Sequence, residues 1–228
     1  GLELGATIYL DYSVVTRPGY LPELDVCEQV EELSPIREYV FSLSVPESKP
    51  LHYEWLNGKA APVVKTAGGM KTVTWILKNV QPRPYSLDVS LPAGNVQAVV
   101  ASTYASKADA LKVIKQQLES NGKDVTELAQ KLTAGAQTTE QKKELLTAYV
   151  EGLGNCRLTL SQTGYLLRPA SEVIRSAYGT EAEKAALLAA LQQAIGIRAE
   201  IKAAFPKTED KDAAGLAAVS RLFLFDKG

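Results

Sequence analysis

The stretch GTEAEKAALLAALQQAIGIRAEI, from Gly179 to Ile201, decides the fold of the second half of the chain. A glycine turn leads into a long apolar helix, the helix ends at a second glycine, and an alternating strand follows. Thr180 and Glu183 have the spacing of a capping box, and Glu181 stands in the first turn, where the helix dipole favours an anion. The expected buried face of this helix consists of Leu187, Leu188, Leu191 and Ile195.

Helical patterns also fill the region between Ser106 and this stretch. Ser106 has the position of an N-cap, and Asp124 with Glu127 has capping-box spacing, with Asp in place of the usual Ser or Thr. Two strands, separated by the charged loop PKTEDKD, are expected to close the chain. The predicted helices are SKADALKVIKQQLES (106–120), DVTELAQKLTAG (124–135), TTEQKKELLTAYVEGLG (138–154) and RPASEVIRSAYG (168–179), and the strands are IRAEIKAAF (197–205) and AVSRLFLF (218–225).

The first hundred residues show the alternation and the β-branched and aromatic content of strands, with Gly and Pro turns between them. Asn57-Gly58 is expected to form a hairpin turn, because both residues accept a positive φ. The predicted strands are ATIYLDYSVV (6–15), REYVFSLSVP (37–46), LHYEWLN (51–57), MKTVTWILKNV (70–80), YSLDVSLP (85–92) and VQAVVAST (96–103). Several strands without an intervening helix predict an antiparallel sandwich or barrel-like sheet.

These patterns predict an α+β chain of two domains, a β-sandwich-like domain over 1–104 and a mainly helical lobe with a short C-terminal sheet over 105–228. The 228 residues are enough for two such domains, and hydrophobic residues make up 46% of them. The formal net charge of -1 and the lack of a Lys/Arg run argue against nucleic acid as a partner. No apolar run approaches the roughly 18 residues of a membrane span.

The two cysteines and the single histidine make a metal site improbable. Cys27 and Cys156 show no CxxC pattern, and His52 is close to neither in sequence. The pattern favours two buried, unpaired thiols, with a disulfide between them as the alternative. His52 shares a predicted strand with Tyr53 and Trp55, where a surface or packing role is expected, and no cofactor is predicted.

The first residues suggest that this sequence begins inside a longer protein. Gly1 resembles a residue left by cloning, and a predicted strand follows almost at once. The first residues do not show the basic n-region and apolar h-region of a signal peptide. We therefore expect the chain to be a piece of a longer protein, with the helical lobe incomplete at its C-terminus.

The segment from Tyr149 to Ile201 resembles the core of bacterial transglutaminase-like domains, which have a cysteine-protease-related fold. The resemblance rests on paired residues that fall in step with the family: Arg168-Pro169, Tyr178-Gly179, Lys184-Ala185, Leu187-Leu188 and Gly196-Ile197. The strand-rich first half resembles, more loosely, the β-rich domain of unknown function that commonly precedes such domains. That likeness rests on LSVP (43–46) and LPAGNVQAVVAST (91–103).

The resemblance implies that the catalytic nucleophile is absent. The family places a cysteine at the head of the helix, where the dipole and a histidine produce the thiolate, and this position is Glu181 here. The family's histidine would fall near Ser220, and its orienting Asp would lie beyond Gly228. Cys156 lies before the short helix and not at a helix head, so we expect it to be a poor replacement nucleophile.

Three functional hypotheses follow. The first is a non-catalytic, degenerate transglutaminase-like module that binds or scaffolds within a cell-envelope protein. The second is an active hydrolase or acyltransferase with a displaced nucleophile, or with catalytic residues outside this chain. The third is an exported sugar- or peptide-binding protein that uses an exposed cluster of aromatic residues such as Tyr165, Tyr178 and Trp55.

The expected partners are a protein, a peptide or a glycan, or other domains of the same polypeptide. The candidate ligand-binding residues are Tyr178, Glu181 and Tyr165. A periplasmic or cell-surface location is implied by the resemblance alone.

Overall fold

The computed structural model describes residues 3–15, 21–30, 32–82, 96–118, 122–219 and 221–226. The chain is α+β, as predicted, with strands in the first half and helices concentrated in the second. The elements of the first half are β1 (Asp25–Gln29), β2 (Ile36–Pro46), β3 (His52–Leu56), β4 (Val63–Ala67), β5 (Met70–Val80) and β6 (Ala98–Ser102). They are followed by α1 (Lys107–Lys115), α2 (Lys123–Thr133), α3 (Thr139–Glu151), β7 (Gly154–Cys156), α4 (Ala170–Ser176), β8 (Tyr178–Thr180), α5 (Glu181–Ala194), β9 (Ala199–Ala204), a 3-10 turn (Leu216–Ala218) and β10 (Arg221–Asp226).

Two three-stranded antiparallel sheets form the first half, in the orders β1-β6-β3 and β2-β5-β4. Their facing side chains make one apolar core, because alternate residues of each strand point to the same side of a sheet. Trp75 of β5 lies at its centre and contacts Tyr53 edge to face, with ring centroids 5.5 Å apart. The sandwich predicted from the alternation is therefore present.

The hairpin of this half lies at a different turn from the predicted one. Asn57 does have a positive φ of 57°, but β3 pairs with β6 and β4 pairs with β5, so Asn57-Gly58 joins strands of different sheets. The tight hairpin is at Gly68-Gly69, whose φ values of 58° and 75° suit a primed turn. The expectation of a hairpin at Asn57-Gly58 was wrong, because local turn chemistry does not determine which strands pair.

The strand predicted over residues 6–15 is absent. These residues are coil with exposed side chains, and within the described part of the chain none of them belongs to a sheet. Alternation creates a strand only where a neighbouring strand supplies backbone partners. The strand predicted over residues 85–92 lies outside the described residues.

Helix α5 is the centre of the second half. Leu187 and Leu191 are fully buried among side chains of α2, α3 and α4, while Leu188 and Ile195 are partly buried against the same core. Strands β9 and β10 pair antiparallel beside α5, as predicted for the end of the chain. The predicted cap at Asp124 is wrong: α2 begins at Lys123, its N-cap is Gly122, two residues before Asp124, and Gly122 provides no side-chain cap.

The loop after β9 returns to the sandwich and covers the outer face of the β1-β6-β3 sheet. Leu56 and Val100 of that sheet are buried against Ala213, Ala214 and Ala218. The charged loop predicted from PKTEDKD is thus part of a joint between the two halves, and the division of the chain near residue 104 stays a prediction.

Three polar side chains of the same sheet fasten this loop. Asp25 accepts the amide N–H of Leu216, and Glu54 Oε2 accepts the amides of Glu209 and Asp210 at 2.7 and 3.1 Å. His52 Nδ1 lies 3.0 Å from Oδ2 of Asp210. His52 therefore contributes one of the contacts between the sandwich and this loop.

Both cysteines are free and partly buried, which agrees with the prediction of unpaired thiols. Among the described helices, none has the length and apolar character needed to span a bilayer. Within the same residues, His, Cys, Asp and Glu do not gather into a cluster of three or more that could hold a metal ion.

Candidate functional site

The candidate site is the head of helix α5, where the sequence predicts a vacated nucleophile position. Thr180 is the N-cap, and the predicted capping box is present: the Glu183 amide donates to Thr180 Oγ1 at 3.2 Å, and the Thr180 amide donates to Glu183 Oε2 at 2.9 Å. Glu181 is the first residue of the helix. A Cβ at Gly179 would lie 3.2 Å from Cγ1 of Val173, so this glycine lets α4 pack closely against the turn.

Arg168 ties the chain before α4 to the head of α5. Its Nε and Nη2 donate to Oε1 and Oε2 of Glu183 at 2.8 and 2.9 Å, and Nη2 also donates to the Tyr178 carbonyl at 2.9 Å. The guanidinium lies 4.6 Å from the centroid of the Tyr178 ring. This bidentate, stacked geometry is specific to arginine, and it fixes the position of the helix head.

The Glu183 side chain is only 5% exposed, yet it is held in its ionised form. Burial alone would raise the pKa of Glu183, but hydrogen bonds from Arg168 and from the Thr180 amide outweigh it and lower the pKa. Glu183 is therefore a structural anion. It cannot act as a proton donor near neutral pH.

Glu181, in contrast, points into solvent. Its side chain is 71% exposed, and Oε1 lies 3.2 Å from Nε of Arg221, at the start of β10. An exposed pair of this kind contributes little to stability. Because both side chains are exposed, both are accessible to a ligand. Ser220, where the family's histidine would fall, lies outside the described residues.

Cys156 lies nearer to this helix head than its sequence position suggests. Strands β7 and β8 pair in parallel, with Cys156 opposite Thr180, the N-cap of α5. Beside it, Lys184 Nζ donates to Asn155 Oδ1 at 2.7 Å and to the Leu153 carbonyl at 2.8 Å. Sequence reasoning missed this neighbour, because a pairing of two three-residue strands leaves no periodic signal.

The structure separates the predicted ligand-binding aromatics. Tyr178 is 47% exposed, two residues before the α5 cap, and so belongs to the site. Tyr165 is 7% exposed within the core of the helical half, and its carbonyl accepts Nε2 of Gln117 at 2.8 Å. Trp55 packs in the sandwich core against Trp75. Of the predicted site residues, the helix head unites only Tyr178 and Glu181.

Comparisons with known proteins agree with this picture at the level of fold. Residues 1–84 match the model of the Domain of Unknown Function family DUF3857. A candidate protease from Parabacteroides distasonis has a similar solved structure, with a TM-score of 0.80 and 36% identity over 92% of this chain. The present chain spans 42% of the length of that protein.

A candidate cysteine protease from Cytophaga hutchinsonii is a more distant match, with a TM-score of 0.36 and 14% identity over 90% of this chain and 74% of that one. Among curated proteins, none matches the chain. The first part of the chain is thus similar to DUF3857, and the fold as a whole is similar to that of the protease candidate from P. distasonis.

Proposed function

We propose that this chain is a non-catalytic, degenerate transglutaminase-like module that serves as a binding or scaffolding part of a cell-envelope protein. The observation that carries the proposal is the exposed ion pair of Glu181 and Arg221 at the head of α5. The resemblance places the nucleophile of the family at this helix head, and its base on the neighbouring strand. The likeness to the P. distasonis protein supports the same fold.

The chemistry of this pair does not replace a cysteine and a histidine. A thiolate attacks an amide carbonyl, and an imidazole then gives its proton to the leaving amine. A glutamate would have to form a mixed anhydride, and an arginine stays protonated at any physiological pH and cannot shuttle a proton. His52, the single histidine of the chain, is bonded to Asp210 at the joint with the sandwich.

An activity assay tests the proposal directly. The chain is incubated with a glutamine-containing peptide and a primary amine, and ammonia release, amine incorporation and peptide cleavage are measured. We expect no turnover above buffer for the unchanged chain. Turnover that disappears in Glu181→Ala would show that this carboxylate is catalytic and would overturn the proposal.

A displaced nucleophile is the second candidate, because Cys156 pairs with the N-cap residue of α5. Rates of alkylation by iodoacetamide are compared between Cys27→Ser and Cys156→Ser, each of which retains one thiol. Burial raises the pKa of the Cys27 thiol, so the thiol retained in Cys156→Ser should react slowly. If Cys156 is structural, labelling of Cys27→Ser should likewise disappear at acidic pH. Fast labelling that persists at acidic pH in Cys27→Ser, together with turnover abolished in Cys156→Ser, would establish the hydrolase instead.

The binding role is proposed for the surface made by Tyr178 and Glu181. A glutamine-containing peptide is the first probe, since it is the substrate class of transglutaminases, and a chitin oligosaccharide tests the glycan alternative. Calorimetric titration should show peptide binding that weakens at least about tenfold in Tyr178→Ala and is unchanged in Tyr9→Ala, an exposed tyrosine outside the site. Binding of the sugar alone would favour the third hypothesis, an exported sugar-binding protein.

The envelope location is proposed from the resemblance to transglutaminase-like proteins of Gram-negative bacteria. It is tested by cell fractionation of the full-length gene product. Recovery with the periplasmic or surface fraction is expected, and recovery with cytoplasmic markers would contradict it.

A further inference from the structure

The outer edge of strand β2 and the alternating residues 6–15 have matching patterns of apolar and polar side chains. We call residues 6–15 the N-terminal arm. We propose that the edge of β2 is a strand-binding surface, and that its occupant is the N-terminal arm of the same chain, paired in parallel. This inference concerns the sandwich and is independent of the function proposed for the α5 head.

Among the described strands, β2 lies at the edge of its sheet. The sheet order is β2-β5-β4, and within the described ranges no strand pairs with β2 on the side away from β5. β2 has 11 residues. An unpaired edge of this length presents a row of free amides and carbonyls, which other strands can join.

The residues of β2 divide into two rows. Leu43 and Val45 are buried in the sandwich core, and Phe41, in the same row, is only half-buried at the edge. Ser42 and Ser44 belong to the opposite row, where they are exposed and lie 2.8 and 2.7 Å from Thr74 and Thr72 of β5. Val40 belongs to this outer row and is also exposed. A strand joining this edge must therefore supply one apolar row, which extends the core past Phe41, and one mostly polar row.

The N-terminal arm supplies these two rows. Its even-numbered residues are apolar: Ala6, Ile8, Leu10, Tyr12 and Val14. Its odd-numbered residues form a mostly polar row with Thr7, Asp11 and Ser13, interrupted by Tyr9 and Val15. The large apolar side chains of the arm are exposed by 68% to 92%. The Ala6 amide donates to the Glu3 carbonyl at 3.0 Å, so the part of the arm proposed to pair begins after Ala6. Burying the even row beside Phe41 removes this apolar surface from water.

The linker between the N-terminal arm and β1 favours pairing within one chain and in the parallel direction. Glu23 lies 2.7 Å from Lys49 Nζ, and the amide of Lys49 donates to the carbonyl of Pro46, so Glu23 is near the C-terminal end of β2. The eight Cα-to-Cα steps from Val15 to Glu23 reach at most about 28 Å, whereas β2 is about 33 Å long. Val15 can therefore lie beside Pro46, as parallel pairing requires, whereas a full antiparallel pairing would place it beside Ile36, at the far end of β2 and close to the limit of the linker.

A short tether also favours the own chain over a second copy. Effective concentrations for short flexible linkers are in the millimolar range, well above the concentration of a second molecule in a dilute sample. The arm should consequently close on its own β2 in a monomer.

Disulfide trapping tests the pairing in the full chain with Cys27 and Cys156 replaced by serine. Ser13→Cys with Ser44→Cys joins the polar rows in the parallel arrangement, and Ser13→Cys with Glu38→Cys joins them in the antiparallel one. Mild oxidation should yield an intramolecular disulfide in the first pair, at a rate at least about tenfold above that of the second. A disulfide-linked dimer, or equal rates for both pairs, would overturn the proposal.

Hydrogen exchange provides a second readout that needs no cysteine. Amides of residues 6–15 should exchange at least about tenfold more slowly than those of a free peptide with the same sequence. Leu10→Asp, in the apolar row, should abolish this protection, and Thr7→Asp, in the polar row, should retain it. Free-peptide exchange rates in the unchanged chain would show that the arm does not dock.

Discussion

Arg168 and Glu183 form the most specific polar contact at the head of α5, with Nε–Oε1 and Nη2–Oε2 distances of 2.8 and 2.9 Å. The contact joins residues 15 positions apart, and it also fixes the Tyr178 carbonyl and the Thr180 amide. These contacts hold the head of α5 in place beneath its exposed residues.

Breaking this pair should destabilise the fold strongly. Glu183→Gln keeps the shape of the side chain but leaves the Arg168 charge without its partner, and removing one member of a buried pair costs about 3–5 kcal/mol. Because Arg168 is partly exposed, we expect a value near the lower end, measured by urea denaturation.

Glu181→Gln is the matched control, since it makes the same chemical change two residues away on an exposed side chain. It should alter the free energy of unfolding by no more than about 0.5 kcal/mol. A similar loss in both variants would mean that the Arg168–Glu183 pair does not hold the helix head.

The buried face of α5 gives a second stability prediction. Leu191 of α5 is fully buried against α2, α3 and α4. Leu191→Ala should therefore lower the free energy of unfolding by about 2–5 kcal/mol, through lost burial and the cavity left behind. Leu145→Ala on α3 is the control, because Leu145 is an exposed leucine of the same half. If the two substitutions have equal effects in thermal or urea denaturation, the register of α5 is wrong.

Asp25 makes stability depend on pH. Burial raises the pKa of Asp25 to about 6, against hydrogen bonds from the amides of Leu216 and Ala217 that lower it. Since this pKa lies above the ordinary value of 3.8, the folded state binds the proton more tightly than the unfolded state. The stabilising contribution of Asp25 is complete below about pH 4 and is lost as the pH rises through about 6.

Asp25→Asn should flatten this part of the profile, because the amide still accepts the Leu216 N–H and never ionises. Unfolding free energies measured between about pH 4 and pH 8 should then differ from those of the unchanged chain by up to about 3 kcal/mol at the alkaline end. Asp109→Asn is the control. Hydrogen bonds from Lys112 and Ser106 lower the pKa of Asp109, so this substitution should change the pH dependence of stability only at more acidic pH. An unchanged profile in Asp25→Asn would show that this carboxylate does not titrate near pH 6.

Glu181→Cys tests the geometry of the helix head. In a chain without Cys27 and Cys156, the new thiol should have a pKa below the usual value of about 8.5, because the helix dipole and Arg221 favour the thiolate. The pH dependence of its alkylation rate measures this pKa, and Lys65→Cys on exposed strand β4 serves as the reference.

The same variant should not turn over an amide, since no imidazole is available to protonate the leaving amine. An ordinary thiol pKa at position 181 would contradict the placement of this residue in the helix dipole. Amide turnover by the variant would contradict the absence of a base.

The sequence was sufficient for elements whose signals are local. The Thr180–Glu183 capping box lies within one helical turn, so α5 begins where the spacing predicts. The burial of Leu187 and Leu191 follows from the helical period in the same way. The alternation in β5 likewise places Trp75 in the sandwich core.

Pairings between distant segments could not be predicted. Glu183 was expected to cap α5, but its bond to Arg168 requires the α4–β8 turn to bring both together. Cys156 reaches the α5 cap through a parallel pairing of strands only three residues long. Residues 6–15 alternate between apolar and polar side chains like a strand. This alternation shows which side chains share a face, but it does not show which strand they pair with.

The packing of the 205–219 loop on the β1-β6-β3 sheet has a consequence for synthesis on the ribosome. Leu56 and Val100 emerge long before Ala213 and Ala214, the residues that cover them, and the Asp25–Leu216 bond closes a span of 191 residues. The nascent sandwich therefore keeps one apolar face open until residues 205–219 have left the exit tunnel. Contacts of such long sequence separation slow folding and prolong exposure to aggregation. A chain cut after β9 would keep that face open permanently and should associate through it.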